Sequence, residues 1–590
     1  MRKTKIVATL GPATNDIDIV KKLILSGMDT ARINFSHGSY ESHSATVRLV
    51  TQAREELRAP IALMLDTKGP EIRIRTFENE SVILEQGNKF TLTTEDIVGN
   101  ETCVSVDYED LPNDLKVGYR VLIDDGLIEL RVINIHGNEI ECIVENNGEL
   151  GSRKGVNLPD SQVNLPSITE KDIEDIRFGI GMGFDYLAAS FVRSAKDVLE
   201  IRRILEDNGG SNINILAKIE NREGVENIES ILEAADGIMV ARGDLGVEIP
   251  PEEVPFIQKM LIKKANAVGK PVITATHMLE SMVNNPRPTR AEANDVANAI
   301  YDGSDAVMLS GETAKGNYPV ESVQMMDRIA RKSEQDFNFE VHTAHLGQNA
   351  TNVTNAITHA TCTTAADLNA TCIVNVTKSG FTARMVSKYR PKCPVLAVAH
   401  DEHVWRQMNL VWGVKPHLPA TPIDAIKESD LFDLATHAAL DSGVAKNGDI
   451  IVVVAGVPVG VAGSTNLIKA QIVGDILVNG QGISNGGNKI VIGKTSVVKH
   501  FEESYRVFQE GDILVATQTD DSMMDNIRKA GAVVVGSDQK QDYTHVKIAC
   551  RALRKPLLVC NVNVTKLIHT GVTVSIDLES GFVYNGLISD

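Results

Sequence analysis

The chain has 590 residues and a formal net charge of −19, from 59 lysines and arginines against 78 aspartates and glutamates. This length exceeds what one hydrophobic core supports, so we expect three or four domains. An acidic chain poor in aromatic residues argues against a nucleic-acid surface, which needs clustered positive charge. The seven cysteines are scattered without a Cys-x-x-Cys spacing, which is typical of a reducing compartment. We expect a cytoplasmic protein without membrane contact, because no signal-peptide region and no apolar run of ~20 residues is present.

Eight short β-rich runs alternate with amphipathic helical stretches in the first part of the chain. The runs are Lys5–Leu10, Thr30–Phe35, Ile61–Leu65, Tyr186–Val192, Ile213–Ile219, Gly237–Ala241, Pro271–Thr276 and Ala306–Leu309. This order predicts an α/β fold, a (β/α)8 barrel, whose catalytic groups lie at the C-terminal ends of the strands.

Polar side chains follow these predicted strands at the same end. They are Arg32, Asn34, Ser36, His37, Asp66, Thr67, Lys68, Lys218, Glu220, Arg242, Asp244, Thr276, His277, Ser310 and Glu312. Any one of them could be a solvated loop residue, but together they predict an active site. Lys218 and Glu220 alternate so that both lie on one face of a strand, and Asp244 follows the next strand. One ammonium and two carboxylates suit a divalent metal with a phosphorylated, anionic substrate.

Residues 71–166 interrupt the barrel pattern, because they alternate in the manner of β-strands and lack helical periodicity. We expect a small all-β domain inserted at the catalytic face. Such a domain is either a mobile lid that excludes water or an inert insertion. Lys154, near the end of this segment, could direct a cation at the cleft.

Helices and strands alternate again after about Glu340. The loop Thr377-Lys378-Ser379-Gly380-Phe381-Thr382 joins a predicted strand to a helix, so it either binds a phosphate on free helix amides or is an ordinary helix cap. The Gly/Asn-rich stretch Asn479–Asn488 predicts a linker or a domain entrance, with further strands beyond it. Gly493-Lys494-Thr495 resembles the end of a Walker A loop, but Gly487 is one residue too distant, so we reject a nucleotide site there.

Several long motifs, in order, resemble the pyruvate kinase family over residues 1–473. They are Lys5-Ile-Val-Ala-Thr-Leu-Gly-Pro-Ala13, Ala31-Arg-Ile-Asn-Phe-Ser-His-Gly38, Leu65-Asp-Thr-Lys-Gly-Pro-Glu-Ile-Arg73, Lys154-Gly-Val-Asn-Leu-Pro159, Ala217-Lys-Ile-Glu-Asn221, Met239-Val-Ala-Arg-Gly-Asp-Leu-Gly246, Thr274-Ala-Thr-His-Met-Leu-Glu-Ser-Met282 and Met308-Leu-Ser-Gly-Glu-Thr313. The resemblance implies a catalytic barrel at 1–70 and 167–340, a β-barrel lid at 71–166 and an α/β regulatory domain at 341–473. Residues 475–590 resemble the swivelling phosphohistidine domain of phosphoenolpyruvate-utilising enzymes.

The same resemblance implies a phosphotransferase that moves the phosphoryl group of phosphoenolpyruvate to ADP, giving pyruvate and ATP in the last step of glycolysis. Glu220 and Asp244 would hold Mg2+ or Mn2+. Lys218 and Arg32 would stabilise charge on the phosphoryl group and the enolate. Gly243, Asp244 and Thr276 would bind the substrate. The family also implies a homotetramer.

Further roles follow from the resemblance. Asn34, Ser36, Asp66 and Thr67 match a K+ site, and Glu71 is typical of the potassium-dependent members. The nucleotide would face His37, Arg73 and Lys154. The proton for the enolate would come from Thr276, with Ser310 and Glu312 through water, or from Lys218. His277 stands where many relatives have glutamine, and it should point away from Thr276 if the strand continues.

Thr377, Lys378, Ser379, Gly380 and Thr382 resemble the family's site for a phosphorylated allosteric effector. The stretch Gly456–Thr465 carries no arginine, so a monophosphate such as ribose 5-phosphate or AMP fits better than fructose 1,6-bisphosphate. In the last domain, Thr544 and His545 remain from a Gly-Gly-x-Thr-Ser-His motif whose glycines are gone. His545 is therefore either a phosphocarrier or part of a structural or assembly element.

Two competing functions remain open. A metal-dependent barrel lyase or aldolase acting on a 2-oxo acid would use similar carboxylates, although the lid segment and the Asp66–Glu71 block disfavour it. A catalytically silent regulatory paralogue is the other alternative, and the intact set of Lys218, Glu220, Asp244 and Thr276 argues against it.

Overall fold

The computed structural model describes residues 1–159, 161, 163–336, 352–420, 430–456, 465–474, 476–486, 488–498 and 508–587. The chain divides into two compact units. The first comprises Met1–Ala366, Ile373–Glu428 and Val454–Ile468, and the second comprises Asp367–Cys372, Ser429–Val453 and Lys469–Asp590. No helix in the described ranges is both long enough and apolar enough to cross a bilayer.

The first unit contains a closed barrel of eight parallel strands, in the order β1-β17-β16-β15-β14-β13-β3-β2 when strands are numbered along the chain. These strands are β1 Lys5–Thr9, β2 Thr30–Asn34, β3 Ala62–Asp66, β13 Tyr186–Ala189, β14 Asn214–Ile219, β15 Gly237–Ala241, β16 Val272–Ala275 and β17 Ala306–Leu309. All eight predicted runs are strands, and the predicted (β/α)8 class is confirmed.

Helices surround this barrel. They are Ile17–Ser26, Tyr40–Leu57, Glu170–Met182, Ala195–Asp207, Arg222–Glu226, Ile228–Ala234, Arg242–Glu248, Val254–Val268, Arg290–Tyr301, Gly311–Ala314 and Pro319–Gln335, with 3-10 turns at Pro12–Thr14 and Glu280–Val283. The first long helix shows how the sequence sets these bounds. Asp16 accepts hydrogen bonds from the amides of Asp18 and Ile19, and Gly27 ends the helix at φ 118°, where a side chain would be strained.

An all-β insertion follows the third barrel strand, as predicted. Its strands form a seven-stranded sheet, β4-β12-β8-β9-β10-β6-β7, and a separate pair, β11-β5. They are β4 Ile72–Arg73, β5 Ser81–Leu84, β6 Lys89–Thr93, β7 Cys103–Ser105, β8 Arg120–Ile123, β9 Ile128–His136, β10 Glu139–Val144, β11 Gly148–Gly151 and β12 Gly155–Asn157, with one short helix at Leu111–Asp114. Phe90 and Leu130 are among the fully buried side chains of its own core, which explains the alternating pattern.

A five-stranded sheet in the order β20-β19-β18-β21-β22 follows the barrel. Its strands are β18 Cys372–Thr377, β19 Val395–Ala399, β20 Val414–His417, β21 Ile450–Gly456 and β22 Thr465–Ile472. The accompanying helices are Val353–Asp367, Phe381–Ser387, Glu402–Gln407 and Leu431–Asp441, with a 3-10 turn at Met408–Leu410. The predicted α/β class of this region is confirmed.

The last part of the chain forms a second closed barrel, β23-β27-β26-β25-β24-β28-β29. Its strands are β23 Ile476–Ile483, β24 Ile490–Val498, β25 Ile513–Ala516, β26 Ala532–Gly536, β27 Leu557–Cys560, β28 Thr573–Asp577 and β29 Phe582–Asn585. The helices are Met524–Lys529, Thr544–Ala552 and Val564–Leu567, with a 3-10 turn at Asp521–Met523. Gly493-Lys494-Thr495 lies inside β24 rather than in a phosphate-binding loop.

The stretch Asn479–Asn488 was predicted to be a linker or a domain entrance, and the linker interpretation is wrong over its first half. Residues up to Ile483 belong to β23, which pairs with β27 and β29. The glycines serve close packing: a Cβ on Gly480 would collide with the carbonyl oxygen of Val559, and one on Gly482 with that of Leu578. Glycine here permits backbone contact rather than flexibility.

Candidate active site

A network of charged side chains joins the C-terminal ends of neighbouring barrel strands. The Arg32 Nε lies 2.6 Å from one oxygen of Asp66, and the Lys218 Nζ lies 3.2 Å from the other. Lys218 also contacts Glu220 Oε1 at 2.9 Å. Both carboxylates are only 1 % exposed. The parallel register places these residues at one end of the barrel, so the side chains that were predicted to cluster are in contact in the structure.

Lys218 is held as an ammonium ion. Burial disfavours its charge, but the carboxylates of Asp66 and Glu220 outweigh burial and raise its pKa. Its Nζ also donates to the Ser190 hydroxyl at 2.7 Å, and that hydroxyl donates to the Thr67 carbonyl at 2.7 Å. Ser190 directly follows β13 and was missed by the sequence analysis, although the strand-end rule could have found it.

Glu220 carries an unusual carboxyl group. Burial raises its pKa to about 7, Lys218 opposes that rise, and Asp244 adds to it through like-charge repulsion. The Phe191 amide donates to its Oε2 at 2.6 Å. The buried Glu220 and the partly buried Asp244 provide hard carboxylate oxygens for a cation, so these two residues fit a divalent metal.

Thr276 connects the sixth and seventh barrel strands. The Gly243 amide donates to its hydroxyl at 2.8 Å, and the Arg242 guanidinium donates to its carbonyl at 2.7 Å. We predicted that His277 would point away from Thr276 if the strand continued through both residues. Strand β16 ends at Ala275, so that condition is not met. Thr276 and His277 instead take left-handed φ values of 66° and 52°, and His277 is exposed. Asp295 anchors Arg242 at 2.7 Å and thereby fixes this strained turn.

The eighth strand end contributes Ser310 and Glu312. Glu312 is buried, and burial raises its pKa. Its two oxygens accept the amides of Ser310 at 2.7 Å and Leu279 at 3.0 Å. Glu312 therefore ties this strand end to the loop that follows Thr276. The Ser310 hydroxyl is buried and has no hydrogen-bond partner among the described residues.

The four residues predicted to bind a monovalent cation lie at the adjoining ends of β2 and β3. Asn34 and Asp66 are register partners. The Asn34 side chain accepts the Ser36 amide at 3.0 Å, and the Thr67 hydroxyl accepts the Ser190 amide at 3.1 Å. Asp66 is thus common to this group and to the Arg32–Lys218 network.

A cleft of about 330 Å³ opens between the barrel and the β insertion. Arg73, Lys154 and Asp244 are among its lining residues. Arg73 makes two hydrogen bonds with Glu71, at 2.8 and 2.7 Å, and Lys154 lies 2.9 Å from Asp124. The structure therefore brings two of the three predicted nucleotide-binding residues to one cleft.

His37, the third, is exposed in the turn after β2 and is not among the described residues that line the cleft.

Two contacts that the sequence analysis missed hold the insertion against the barrel. The Arg193 guanidinium donates to the carbonyls of Val163 and Leu165, each at 2.7 Å, in the segment that returns to the barrel. Asn157 of β12 donates to Glu248 at 2.9 Å. These residues are distant in sequence, so no local pattern indicates the contacts.

The predicted effector loop is a tight turn between β18 and the helix Phe381–Ser387. The Thr377 hydroxyl accepts the Gly380 amide at 2.9 Å, and the hydroxyls of Thr382 and Thr465 lie 2.6 Å apart. Gly380 has φ 73°, and a Cβ there would collide with Met408. Most of the stretch Gly456–Thr465, positions 457–464, lies outside the described residues.

His545 is in the first turn of the helix Thr544–Ala552. Its Nδ1 lies 3.1 Å from the Thr519 hydroxyl, and its Nε2 lies 3.2 Å from Asp521. Both ring nitrogens are therefore occupied in this arrangement.

The fold and the site define a (β/α)8-barrel protein with a charged cleft beside an inserted β domain. Three family models match the chain: the pyruvate kinase barrel domain at residues 1–323, the pyruvate kinase α/β domain at 355–471, and the mobile domain of PEP-utilising enzymes at 508–581. The chain belongs to the pyruvate kinase family, and it is therefore an enzyme of the phosphotransferase class.

Similar proteins agree with this assignment. A pyruvate kinase of Geobacillus stearothermophilus is 48% identical over 99% of both chains, and one of Bacillus licheniformis is 46% identical over 100% of both. A crystal structure of a pyruvate kinase from Cryptosporidium parvum is 40% identical, with a TM-score of 0.76 over 80% of this chain and 96% of that one.

Proposed function

We propose that this enzyme transfers the phosphoryl group of phosphoenolpyruvate to ADP, with a divalent metal and K+ as activators. The observation that carries the proposal is the Lys218 ammonium, held charged between Asp66 and Glu220 beside Arg32 at the strand ends. A loose phosphoryl-transfer transition state needs little covalent chemistry and much fixed charge, which this network supplies. The names of the similar proteins support the same reaction.

Glu220 and Asp244 would hold Mg2+ or Mn2+. Among the described residues, no group of three His, Cys, Asp or Glu side chains is arranged to hold a metal. This suits Mg2+, which typically takes one or two carboxylates and completes its shell with water and substrate oxygens. When bound, the ion neutralises charge on substrate oxygens.

Arg32 and Lys218 would bind the phosphoryl group and the developing enolate. Asp66 holds both cations, at 2.6 and 3.2 Å, so their positions are fixed before the substrate arrives. Charges fixed in advance cost little reorganisation during the reaction, which makes them effective. The Gly243 amide, with Asp244 and Thr276, would orient the substrate.

The enolate carbon then needs a proton. Thr276, with the buried Ser310 and Glu312 through water, is one route, and Lys218 is the other. The raised pKa of Lys218 makes it a weaker acid, which favours the Thr276 route. In a Thr276→Val variant, pyruvate formation should slow while release of the phosphoryl group to ADP continues. Unchanged pyruvate formation in this variant would instead favour Lys218.

The monovalent-cation proposal rests on Asn34, Ser36, Asp66 and Thr67 at adjoining strand ends, with Glu71 nearby in sequence. Turnover should fall strongly when tetramethylammonium replaces potassium. Undiminished turnover in potassium-free buffer would remove this part of the proposal.

The α/β region would respond to a monophosphate effector, such as ribose 5-phosphate or AMP, bound at the loop that contains Thr377, Lys378, Ser379, Gly380 and Thr382. A Ser379→Asp variant should lose activation, because the introduced carboxylate would repel the negatively charged phosphate of the effector. If the wild-type saturation curve ignores every sugar phosphate tested, the loop is only a helix cap. We also propose that the domain boundaries are those given above, that the protein is cytoplasmic and that it forms a homotetramer.

The decisive experiment is a lactate-dehydrogenase-coupled assay with phosphoenolpyruvate and ADP. Lys218→Met should abolish turnover, whereas Lys264→Met, on the barrel's outer helix, should not. A metal-dependent aldolase or lyase would instead release pyruvate from a 2-oxo acid supplied in place of phosphoenolpyruvate, and it would not consume ADP. A catalytically silent paralogue would give no product, either with phosphoenolpyruvate and ADP or with a 2-oxo acid. The aldolase result and the absence of any product would each overturn the proposal.

A further inference from the structure

The second compact unit contains a cavity of about 640 Å³ that lies outside the site described above. Ser537 and Asn561, two of its lining residues, directly follow the parallel strands β26 and β27. Ligands of α/β sheets generally bind beyond the carboxyl ends of parallel strands, because the loops there present free backbone and side-chain groups. The cavity therefore occupies the expected position for a ligand.

The cavity is locally cationic within an acidic protein. Its charged lining residues are Lys540, Lys547 and Asp538. The Asp538 carboxylate is neutralised by Lys566 at 2.9 Å, and it also accepts the Asn563 amide. Two positive charges thus remain in a chain whose net charge is −19.

Asp542, which lies near Lys547, is bound to the amide and hydroxyl of Thr544. Asp542 keeps its negative charge but is not among the described residues that line the cavity. The lining itself carries two lysines against one aspartate that Lys566 neutralises, so the cavity favours an anion.

Neutral groups in the cavity suit a hydroxylated ligand. Gln541 lines it, and the Gln541 Oε1 atom is buried without a hydrogen-bond partner in the part of the chain that the structure describes. A buried acceptor is normally satisfied, so a donor from a bound molecule is a physical explanation. Tyr543 and Phe582 add aromatic surface, against which a sugar or a base can pack.

The arrangement indicates binding rather than covalent chemistry. His545 is not among the described lining residues, and its ring nitrogens contact Thr519 and Asp521. Cys560 lines the cavity, but burial raises the pKa of its thiol to about 12, so it is a poor nucleophile at neutral pH.

We propose that this cavity binds a phosphomonoester of a hydroxylated molecule, either a sugar phosphate or a nucleoside monophosphate. Lys540 and Lys547 bind the phosphate, and Gln541 accepts a hydrogen bond from a hydroxyl or amine. This site is separate from the loop at 377–382 and goes beyond the proposed reaction.

Isothermal titration of the full-length protein tests this proposal. A Ser379→Asp background removes phosphate binding at the loop, and the probes are ribose 5-phosphate, AMP and inorganic phosphate. We expect one saturable site for at least one organic probe and weaker binding of inorganic phosphate. Comparison of the two organic probes distinguishes a sugar phosphate from a nucleotide.

The variants locate the site. Lys540→Gln with Lys547→Gln should weaken binding at least tenfold, and Gln541→Leu should weaken it severalfold, while Lys529→Gln on another helix of the same unit should not. Turnover of phosphoenolpyruvate should be unchanged in all three, which verifies folding and keeps this test independent of the proposed reaction. Absence of saturable binding, or equal affinity in the double variant and the Lys529 control, would overturn the proposal.

Discussion

Protonation of Glu220 should control how tightly the enzyme binds a divalent cation near neutral pH. Burial raises the pKa of this carboxyl from 4.5 to about 7, against the effect of Lys218 and with the help of Asp244. A metal competes with the proton, because only the carboxylate is a good ligand. Lowering the pH should therefore weaken metal binding in a range where an ordinary glutamate shows no change.

The expected change in metal affinity follows from comparing the raised pKa of about 7 with the ordinary value of 4.5. A group with a pKa of about 7 is roughly 90% protonated at pH 6 and roughly 10% protonated at pH 8, so metal affinity should fall about tenfold between them. A carboxyl that titrates at 4.5 would change the affinity by only about 3%.

The same shift acts on stability. The folded-state pKa lies above the unfolded one, so without metal the fold loses stability as pH rises from 4.5 to about 7, by about 3 kcal/mol in full.

The assay measures free Mn2+ by electron paramagnetic resonance, without substrate, at constant ionic strength between pH 6 and pH 8. Glu220→Gln should remove specific binding at every pH. Glu248→Gln is the matched control, because Glu248 lines the same cleft and should leave the tenfold dependence intact. Equal wild-type affinity at pH 6 and pH 8, in protein that remains folded, would refute the reasoning.

Three further outcomes are expected. Arg193→Met removes both hydrogen bonds to the returning segment of the insertion, so KM should rise severalfold with little change in melting temperature. The exposed control Arg203→Met should leave KM unchanged. An unchanged KM in Arg193→Met would mean that the contact is dispensable. Asp185→Asn removes the buried carboxylate partner of Arg406 and leaves only the exposed Glu402 to compensate its charge, so it should cost about 3 kcal/mol of stability by thermal melting. Glu402→Gln, on the surface side of Arg406, should cost less than about 1 kcal/mol. Similar costs for the two variants would contradict the burial argument. Burial raises the pKa of the Cys142, Cys550 and Cys560 thiols to about 12, and it also raises the pKa of the Cys362 thiol. These four thiols should therefore react slowly with a thiol reagent in the native protein at pH 8, and their rapid reaction would contradict the burial argument.

Local patterns were sufficient to predict the barrel strands and the residues that follow them. Arg32, Asp66, Lys218 and Glu220 could be assigned to one end of the barrel because parallel strands place their carboxyl ends together. The same rule could have identified Ser190, which directly follows a strand. It could not identify Arg193, whose partners lie in the segment returning from the insertion, because no sequence period links them.

Composition was a poor guide where glycine serves packing. The stretch that begins at Asn479 has the glycine and asparagine content of a linker, yet its first half is a strand paired on both sides. Gly480 and Gly482 allow neighbouring backbones to approach. A local sequence does not distinguish that use from flexibility, because both need the absence of a side chain.

In the charged cluster, the sequence pattern predicts which residues come together, and the tertiary structure sets their protonation states. Residue types and strand periodicity determined that Lys218, Glu220 and Asp244 would meet with Arg32 and Asp66 at one end of a barrel. Their protonation states depend on distances and burial that arise only when the chain folds. Asp66 and Glu220 share Lys218, which keeps the ammonium charged, while desolvation and Asp244 raise the pKa of Glu220. Electrostatic energies depend on separation and on excluded water, and neither is encoded in the spacing of residues along the chain.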